Sequence, residues 1–367
     1  MKILVSAGEV SGDQRAAEVI GALKKLHNGD LKFFGLGGGR LASEGVEITH
    51  HLNDYAVMGF VEILRSLGKF HKLEKELKAL CIEEKPDCIL LVDYPGFNMR
   101  LGRWAKKRGI PVVHYVAPQM WAWGAWRVRK LRKSTDILLT LFAFEEPFFR
   151  KRGVNAVFTG HHLKKIIPRQ KEHGDALGLL PGSRAQEVEK LLPEMLQAFV
   201  LLRDKGIVEN ALLAVSDHLE KNVYEEAEKT RGVQLQNGTE KVLTGSKAAL
   251  VCSGTATLEA ALYGVPFVVC YKTSALNYSL AKFLVKGVER IGLANIIAGV
   301  DVVPELIQED LTPDRMQKLL EPLFCDHTYA EAAGKKLELV RDALGDGDPA
   351  GNAAAEIIKF LMNSHES

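Results

Sequence analysis

The sequence of 367 residues has few cysteines and no long apolar run. Its five cysteines are an odd number without a Cys-x-x-Cys pair, which argues against a disulfide framework and against a zinc site. No stretch of about 18 apolar residues predicts a membrane-spanning helix. The first apolar run, residues 2–7, stops before Glu9, too early for a signal peptide, and predicts a β-strand. We expect a cytoplasmic protein with free thiols.

The sequence also lacks a charge excess, because 48 basic and 46 acidic residues leave a formal charge of +2. This near-balance argues against a nucleic-acid partner. The charges are nevertheless unevenly distributed. Residues 100–135 carry ten Lys or Arg and no acid, and residues 150–171 carry seven and none. From residue 301 onward there are fourteen acidic and six basic residues. The middle of the chain is therefore expected to lie near negatively charged groups.

Short apolar runs of strand-like composition alternate with helical patterns along almost the whole chain. They are apolar throughout rather than at every second position, which is typical of parallel strands covered by helices on both faces. The runs occupy residues 2–7, 32–36, 88–92, 112–116, 136–142, 155–159, 176–180, 211–215, 232–236, 248–252 and 266–271.

This succession of strand and helix occurs twice, around a charged segment at residues 161–174 that contains Pro168. It predicts an α/β protein of two Rossmann-like, doubly wound domains facing a central cleft. We expect an N-terminal domain at 1–168 and a C-terminal domain at 169–345. A final helix at 349–363 is expected to cross back to the first domain.

Two loops of the second half have the composition of anion-binding sites. The first, Gly182-Ser183-Arg184, follows a predicted strand and precedes a helix, and Ser183 with Gln186 forms a capping-box pattern. Backbone N–H groups at a helix start and the Arg184 guanidinium suit a phosphate. An ordinary strand–helix connection with a solvated arginine is the alternative.

The second loop follows the predicted strand at 248–252 and is rich in small residues: Ser253, Gly254, Thr255 and Thr257. Glu259 lies one turn into the helix, where its carboxylate would either hold ribose hydroxyls or stabilise the helix dipole. Two such loops in one domain favour a nucleoside diphosphate site. Neither fits the Walker pattern, and we predict no cofactor and no metal.

In the first half, Asp93 ends a very apolar strand and precedes a turn, a suitable position for a general base. Alternatively Asp93 caps the next helix, although Asn98 could do so instead. The loop after the first strand offers Glu9, Ser11 and Asp13 at the same sheet edge. A purely structural capping role remains open for Asp13.

Three of the four tryptophans lie within residues 121–126, followed by several cations. Trp121, Trp123, Arg127 and Arg129 would form either an aromatic core on the sheet or a platform for sugar rings or acyl chains with cations around a phosphate.

Two further patterns are judged to be coincidental. Gly37-Gly38-Gly39 fits a dinucleotide-binding pattern but follows the second strand, and no suitable acid follows about 20 residues later. Asp346-Gly-Asp348 fits a metal-binding Asp-x-Asp pattern but lies in a polar turn, where a cap or linker is expected.

The helical pattern at residues 56–80 is apolar over more than half of its surface near its start, and cations follow from Arg65 to Lys78. A helix that only packs between domains needs a narrower stripe. The pattern slightly favours contact with an anionic membrane surface over a homodimer interface. The candidate membrane contacts are Val57, Met58, Phe60, Val61 and Leu64.

Taken together, the motifs resemble the lipid-A-disaccharide synthase family, which are GT-B glycosyltransferases of Gram-negative bacteria. The resemblance extends nearly from end to end and departs at His162, where the family usually has proline, and at Gln14-Arg15-Ala16, where small residues are common. It is carried by AGEVSGD (7–13), VDYPGFN (92–98), HYVAPQMWAW (114–123), LLPGSRAQE (179–187), CSGTATLEAAL (252–262) and LANIIAG (293–299).

The resemblance implies an inverting transfer in the biosynthesis of the lipid A of lipopolysaccharide. The donor would be UDP-2,3-diacylglucosamine and the acceptor 2,3-diacylglucosamine 1-phosphate, called lipid X. Attack of the acceptor 6-hydroxyl on the anomeric carbon would give the β-1,6-linked lipid A disaccharide 1-phosphate and UDP. The enzyme would associate peripherally with the cytoplasmic face of the inner membrane.

The resemblance also implies roles for individual residues. Asp93 would be the base, and Arg184 would stabilise the leaving diphosphate. The second domain would bind UDP through Gly182, Ser183, Ser253, Gly254, Thr255, Thr257, Glu259 and Asn295. The first domain would bind the acceptor, with Glu9, Ser11, Asp13, Asn98, Trp121, Trp123, Arg127 and Arg129 as candidates.

Two alternatives remain open. A related GT-B transferase or 2-epimerase for UDP-N-acetylglucosamine, with soluble substrates, would keep both loops but would not need the apolar helix. A non-catalytic UDP-sugar sensor would not need Asp93.

Overall fold

A computed structural model describes residues 1–55, 67–122, 124–170, 173–273 and 290–365. The chain divides into two compact units. Unit 1 comprises Met1–His162 and Gly345–Ser367, and unit 2 comprises Leu163–Leu344.

Unit 1 contains a parallel sheet of seven strands in the order β3-β2-β1-β4-β5-β6-β7. The strands are β1 (Lys2–Ala7), β2 (Lys32–Gly37), β3 (Glu47–His51), β4 (Cys88–Val92), β5 (Val112–Tyr115), β6 (Ile137–Thr140) and β7 (Ala156–Phe158). The helices are α1 (Val10–Leu26), α2 (Gly39–Ser43), α3 (Leu67–Glu84), α4 (Pro95–Lys106), α5 (Val128–Arg132), α6 (Glu145–Arg150) and, from the chain end, α15 (Pro349–His365). The strand order reverses between β1 and β4, where ligands bind in open parallel sheets.

The unit 1 sheet is buried on both faces because its side chains alternate between two apolar clusters. Ile3 and Val5 of β1 pack with residues of α1 and α15 on one face. Leu4 of the same strand packs with residues of α3 and α4 on the other. The continuous apolarity of these strands thus has the predicted cause.

Unit 2 contains a parallel sheet of six strands in the order β10-β9-β8-β11-β12-β13. The strands are β8 (Ala176–Leu180), β9 (Ala211–Val215), β10 (Val233–Asn237), β11 (Ser246–Cys252), β12 (Phe267–Tyr271) and β13 (Glu305–Ile307). The helices are α7 (Leu163–Ile166), α8 (Ala185–Asp204), α9 (Glu225–Lys229), α10 (Thr239–Thr244), α11 (Thr255–Tyr263), α12 (Leu293–Ala298), α13 (Pro313–Cys325) and α14 (His327–Asp342). Here the order reverses between β8 and β11.

Every strand that the apolar runs predicted is present, and two edge strands, β3 and β13, were not predicted. The division between the units falls after His162, whereas the sequence placed it after residue 168. Arg341 of α14 explains why the boundary lies after His162, because its guanidinium donates to the carbonyl oxygens of Lys164 and Ile167. These hydrogen bonds tie the segment after His162 to unit 2.

The apolar segment proposed to meet a membrane lies outside the described residues, as do Val57, Met58, Phe60, Val61 and Leu64. The helical pattern that includes this segment continues into α3. Among the helices of the described residues, none is both long and apolar enough to cross a bilayer. All five cysteines are free thiols, and four of them are buried.

Candidate active site

A pocket of about 390 Å³ lies in unit 2 at the carboxyl ends of the strands that flank the reversal point. Its volume is within the range typical of ligand sites. Both loops that the sequence singled out line it. The lining includes Gly182, Ser183, Arg184, Glu187, Ser216, Gly238, Thr239, Ser253, Gly254, Thr255 and Glu259.

The first loop of this pocket differs in detail from the prediction. Helix α8 begins at Ala185, its N-cap Arg184 is extended, and no side chain caps it. The predicted capping box of Ser183 and Gln186 is therefore wrong, because the helix starts too late for Ser183 to cap it. The first-turn N–H groups are left for an anion.

Glu187 occupies the space beside this loop and was not predicted. Gly182 has φ = +110°, and a Cβ at this position would overlap the Glu187 carboxylate. Arg184 Nη1 lies 2.6 Å from Glu187 Oε1, and the arginine side chain is 80% exposed. The predicted phosphate-binding arginine is thus held at the pocket by a carboxylate of the same helix.

The second loop presents mainly its backbone to the pocket. The Ser253 hydroxyl donates to the Ile291 carbonyl oxygen at 2.8 Å, and the Thr257 hydroxyl donates to the Gly254 carbonyl oxygen at 2.8 Å. Both hydroxyls therefore hold the loop; Ser253 also lines the pocket, whereas Thr257 is not among the lining residues. Thr255 is exposed at the start of α11, which has no side-chain cap, so its first N–H groups also suit an anion.

Glu259 lies in the pocket as predicted, and it has a partner that sequence reasoning missed. The hydroxyl of Thr239, the first residue of α10, donates to Glu259 Oε2. Thr239 comes two residues after the end of β10, following Gly238. This position at the carboxyl edge of the sheet is the sequence signal by which Thr239 could have been identified. The carboxylate is thus oriented at the pocket wall.

Asn295 does not line this pocket, contrary to the prediction. Its side chain is only 1% exposed. Nδ2 donates to the Val303 carbonyl oxygen at 2.9 Å and to Glu305 Oε1 at 2.8 Å. Oδ1 accepts from the N–H groups of Val302 and Val303 at 2.8 and 3.0 Å. The amide has no capacity left for a nucleotide and instead fixes the segment before β13.

In unit 1, the ends of β4 and β5 carry three non-glycine residues with positive φ: Asp93 (51°), Tyr94 (49°) and Val116 (72°). Such conformations are uncommon, most of all for a β-branched valine, and they cluster at functional sites. The Asp93 N–H donates to the Tyr115 carbonyl oxygen at 3.0 Å, which fixes the turn to the neighbouring strand. No pattern in the sequence indicated this strained backbone.

The Asn98 side chain holds this turn in place and is not available to bind the acceptor substrate. It is fully buried. Its Nδ2 donates to the carbonyl oxygen of Asp93 at 2.8 Å, and its Oδ1 accepts from the Ser6 hydroxyl at 2.7 Å. The prediction that Asn98 caps the next helix or binds substrate is wrong, because α4 begins at Pro95 and the amide links the ends of β1 and β4.

The Asp93 carboxylate remains accessible, with its side chain 28% exposed. Oδ1 accepts from the Tyr94 N–H at 3.0 Å. Oδ2 lies 3.5 Å from Arg15 Nη1, a residue that sequence reasoning missed. Burial is the largest cause that raises the pKa of the Glu9 carboxyl, and the charge of Asp93 is the second. Asp93 and Arg15 therefore form an ion pair at the reversal point of the sheet, and Glu9 is close enough for their charges to affect its pKa.

Asp13 is not available to a ligand. It is 3% exposed, and its carboxylate accepts from the N–H groups of Gly38 at 2.6 Å and Arg40 at 3.0 Å. It thus caps α2 rather than its own helix, since α1 already begins at Val10. Ser11 is exposed in the first turn of α1. The structural alternative for Asp13 is confirmed, with a different helix as its partner.

Trp121 is half-buried, and Glu145 orients it. Its Nε1–H donates to Glu145 Oε1 at 3.0 Å, and its ring packs edge-on against Phe144 with centroids 4.9 Å apart. Glu145 is 2% exposed, and burial raises the pKa of its carboxyl to about 7. Trp123 lies outside the described residues. The buried carboxyl of Glu145 was not predicted.

The cations after Trp121 belong to a short helical segment. Arg127 is the last residue of a single 3₁₀ turn that precedes α5, and Arg129 is exposed in α5. Trp126 is 69% exposed, with Lys130 Nζ 5.5 Å from its ring centroid. The alternative of a wholly buried tryptophan core is therefore wrong for this residue.

A stack of rings follows β6 and β7 at the same sheet edge. Phe142 stacks on His161, with centroids 5.0 Å apart, and His161 stacks on His162 at 4.5 Å. Burial lowers the pKa of His161 to about 3 and that of His162 to about 4. Both imidazoles are therefore neutral near pH 7.

Comparison with known proteins gives a consistent result. A family model described as lipid-A-disaccharide synthetase matches residues 3–348. The lipid-A-disaccharide synthase of Syntrophus aciditrophicus (strain SB) is 37% identical over an alignment of 383 residues, gaps included. The alignment covers 99% of this chain and 98% of that protein. The synthase of Anaeromyxobacter sp. (strain K) is 39% identical over 375 residues, which cover 98% and 97%.

Solved structures of similar fold are more distant in sequence. A UDP-N-acetylglucosamine 2-epimerase from Listeria monocytogenes, described as putative, has a TM-score of 0.66 at 16% identity, covering 100% of this chain and 96% of that one. The calicheamicin glycosyltransferase CalG4 has a TM-score of 0.60 at 14% identity, covering 98% of each chain. These likenesses concern the fold and confirm the predicted α/β architecture of two Rossmann-like domains of the GT-B type.

Proposed function

Since the chain belongs to the lipid-A-disaccharide synthase family, we propose that unit 2 binds the UDP of the donor and unit 1 binds the acylated acceptor. The protein is a glycosyltransferase of lipid A biosynthesis. Its family membership argues against a soluble-substrate transferase or epimerase and against a non-catalytic sensor.

The unit 2 pocket supports the donor role. Helices α8 and α11 both begin at its wall without a side-chain cap, so their N–H groups and positive dipole ends face the same space. Arg184 would add a charge-assisted donor to the leaving diphosphate. Glu259, oriented by Thr239, would accept from the ribose hydroxyls.

Asp93 of unit 1 is the proposed base. Its carboxylate would take the proton of the acceptor 6-hydroxyl while the hydroxyl oxygen forms a bond to the anomeric carbon of the donor. The bond from that carbon to the diphosphate breaks on the opposite face, so UDP leaves and the configuration inverts. The acceptor would be 2,3-diacylglucosamine 1-phosphate and the donor UDP-2,3-diacylglucosamine.

The single observation that carries this assignment is the accessible carboxylate of Asp93 on a strained, positive-φ turn at the reversal point of the unit 1 sheet. Such strain persists only where the surroundings hold it, here through Asn98 and Tyr115. The arrangement is costly for stability and therefore points to function.

The test is the reaction itself. Mass spectrometry of the product from lipid X and its UDP-linked partner should show the tetraacylated disaccharide 1-phosphate. Asp93→Asn should lower kcat by about 100-fold or more, as expected for loss of a general base. Asp30→Asn, an exposed aspartate of the same unit, is the matched control and should leave kcat unchanged. Wild-type turnover by Asp93→Asn would show that another group is the base.

We further propose that the enzyme acts at the cytoplasmic face of the inner membrane, through the apolar segment with Val57, Met58, Phe60, Val61 and Leu64. Arg65, Lys69 and Lys72 follow this segment before the first acidic residue, Glu74, and these cations support an anionic surface as its partner. A homodimer interface at this segment is the competing proposal.

A further inference from the structure

We infer that Arg15 is a positioning residue for this reaction: it fixes the direction of the Asp93 carboxylate at the reversal point of the unit 1 sheet. This inference rests on the proposed role of Asp93 as the base. Arg15 lies just outside the motif at residues 7–13, at a position where this sequence departs from the small residues that are common in the family.

The backbone brings Arg15 to this place. A Cβ on Gly12, near the start of α1, would lie only 3.8 Å from the Asp93 Cβ and 3.5 Å from the Val92 carbonyl oxygen. The helix therefore passes directly over the end of β4. Arg15 is three residues further along the same helix, on the same face, so its side chain reaches the same strand end.

The contact is an ion pair between one guanidinium nitrogen and one carboxylate oxygen. Arg15 Nη1 lies 3.5 Å from Asp93 Oδ2, while Oδ1 accepts from the Tyr94 N–H at 3.0 Å. Oδ1 thus has a hydrogen bond within the turn, and Oδ2 faces the charge of Arg15. Arg15 and Asp93 side chains are only 22% and 28% exposed, so solvent screens this ion pair less than a surface pair.

Apart from Asp93 and Glu9, the titratable groups named beside Arg15 are neutral. The guanidinium is near enough to contribute to the lowered pKa values of His161 and His162, in which burial is the largest cause. Both imidazoles are neutral near pH 7. Burial also raises the pKa of the Tyr115 hydroxyl, which therefore stays protonated. Glu9 is a second acidic neighbour: burial and the charge of Asp93 raise the pKa of its carboxyl, while the charge of Arg15 lowers it.

The chemical consequence is orientation. A base must point its lone pair at the hydroxyl proton, and a misplacement of 1 Å is enough to lose much of the rate. With one oxygen bound by the turn and the other directed by Arg15, the Asp93 carboxylate has little freedom to rotate. Arg15 acts through Asp93 in this arrangement and touches no reacting atom.

The experiment is a double-mutant cycle on the full-length enzyme, with kcat and acceptor KM measured in detergent micelles. Arg15→Gln should lower kcat by about 10- to 100-fold and leave KM unchanged, since it misdirects the base without removing a substrate contact. Arg15→Lys should recover part of the loss, because lysine keeps the charge but not the fork. Arg15→Gln with Asp93→Asn should be no slower than Asp93→Asn alone.

Three results would overturn the inference: full activity of Arg15→Gln, a raised KM with unchanged kcat, or losses from the two substitutions that multiply. Arg103→Gln, an exposed arginine of α4, is the matched control. If Arg15→Gln does not fold, the cycle is run with Arg15→Lys and judged by the same criteria. A fully active Asp93→Asn would instead refute the proposed base, so the two failures are distinguishable.

Discussion

The Asn295→Ala substitution tests whether this buried amide is a structural clamp of unit 2 or a nucleotide contact. In the structure its side chain makes hydrogen bonds to the backbone of Val302 and Val303 and to the Glu305 carboxylate. Glu305 in turn accepts from the N–H groups of Ile291 and Gly292 at 2.9 Å each. Alanine would leave buried donors and acceptors without partners.

The size of the effect follows from these bonds. Each bond to an uncharged group contributes about 1 kcal/mol, and the bond to the carboxylate about 2 kcal/mol. Water that enters the vacated space would restore part of this, so we expect a loss of about 3 kcal/mol in the free energy of unfolding of unit 2. For a unit of this size the Tm should then fall by about 10 °C.

The assay combines calorimetric melting with titration of UDP at 10 °C, where the variant stays folded. The Tm should fall while the Kd for UDP equals that of the wild type, because Asn295 does not reach the pocket. Asn222→Ala, an exposed control with one hydrogen bond to Glu220, should change neither quantity. An unchanged Tm with a Kd raised about tenfold, equivalent to 1.4 kcal/mol, would refute the reasoning.

Two further predictions concern unit 1. Because burial raises the pKa of Glu145 from 4.5 to about 7, its contribution to stability is complete below pH 4.5 and is lost as the pH rises through 7, by about 3 kcal/mol. The Tm of the wild type should therefore fall relative to that of Glu145→Gln as the pH rises from 4.5 to 8. Curves of Tm against pH that stay parallel for the two proteins would contradict this. Met58→Ser with Phe60→Ser should weaken binding to anionic vesicles at least about tenfold, whereas Met362→Ser, an exposed methionine in α15, should not. Equal vesicle binding would favour the dimer interface.

The strands that were predicted are local apolar runs, apart from β10 (Val233–Asn237), in which apolar and polar residues alternate. The two that were missed, β3 and β13, are short edge strands. The β3 strand, Glu47–His51, alternates between exposed and partly buried residues, so its sequence contains no apolar run. Only its pairing with β2 makes it a strand, and pairing is not a local property.

The candidate site was predictable to the level of loops and not of side chains. Glycines and small residues after apolar strands located the unit 2 pocket, because that composition reflects a local backbone requirement. The roles of Asn98, Asn295 and Arg15 depend on partners elsewhere. Arg15 meets Asp93 only because α1 crosses the end of β4, and a charged residue at one helix position gives no sign of such a partner.

Unit 1 is built from two separate stretches of the chain, so it cannot complete its fold in the order in which it is synthesised. Ala353, Ile357 and Leu361 of α15 belong to the same buried cluster as Ile20 and Leu23 of α1. During translation, therefore, α1 lacks this packing partner until the whole of unit 2 has been made. Unit 2 is one continuous segment and can complete its core earlier. The helix that carries Arg15 to Asp93 is thus supported by residues that the ribosome adds only after all of unit 2.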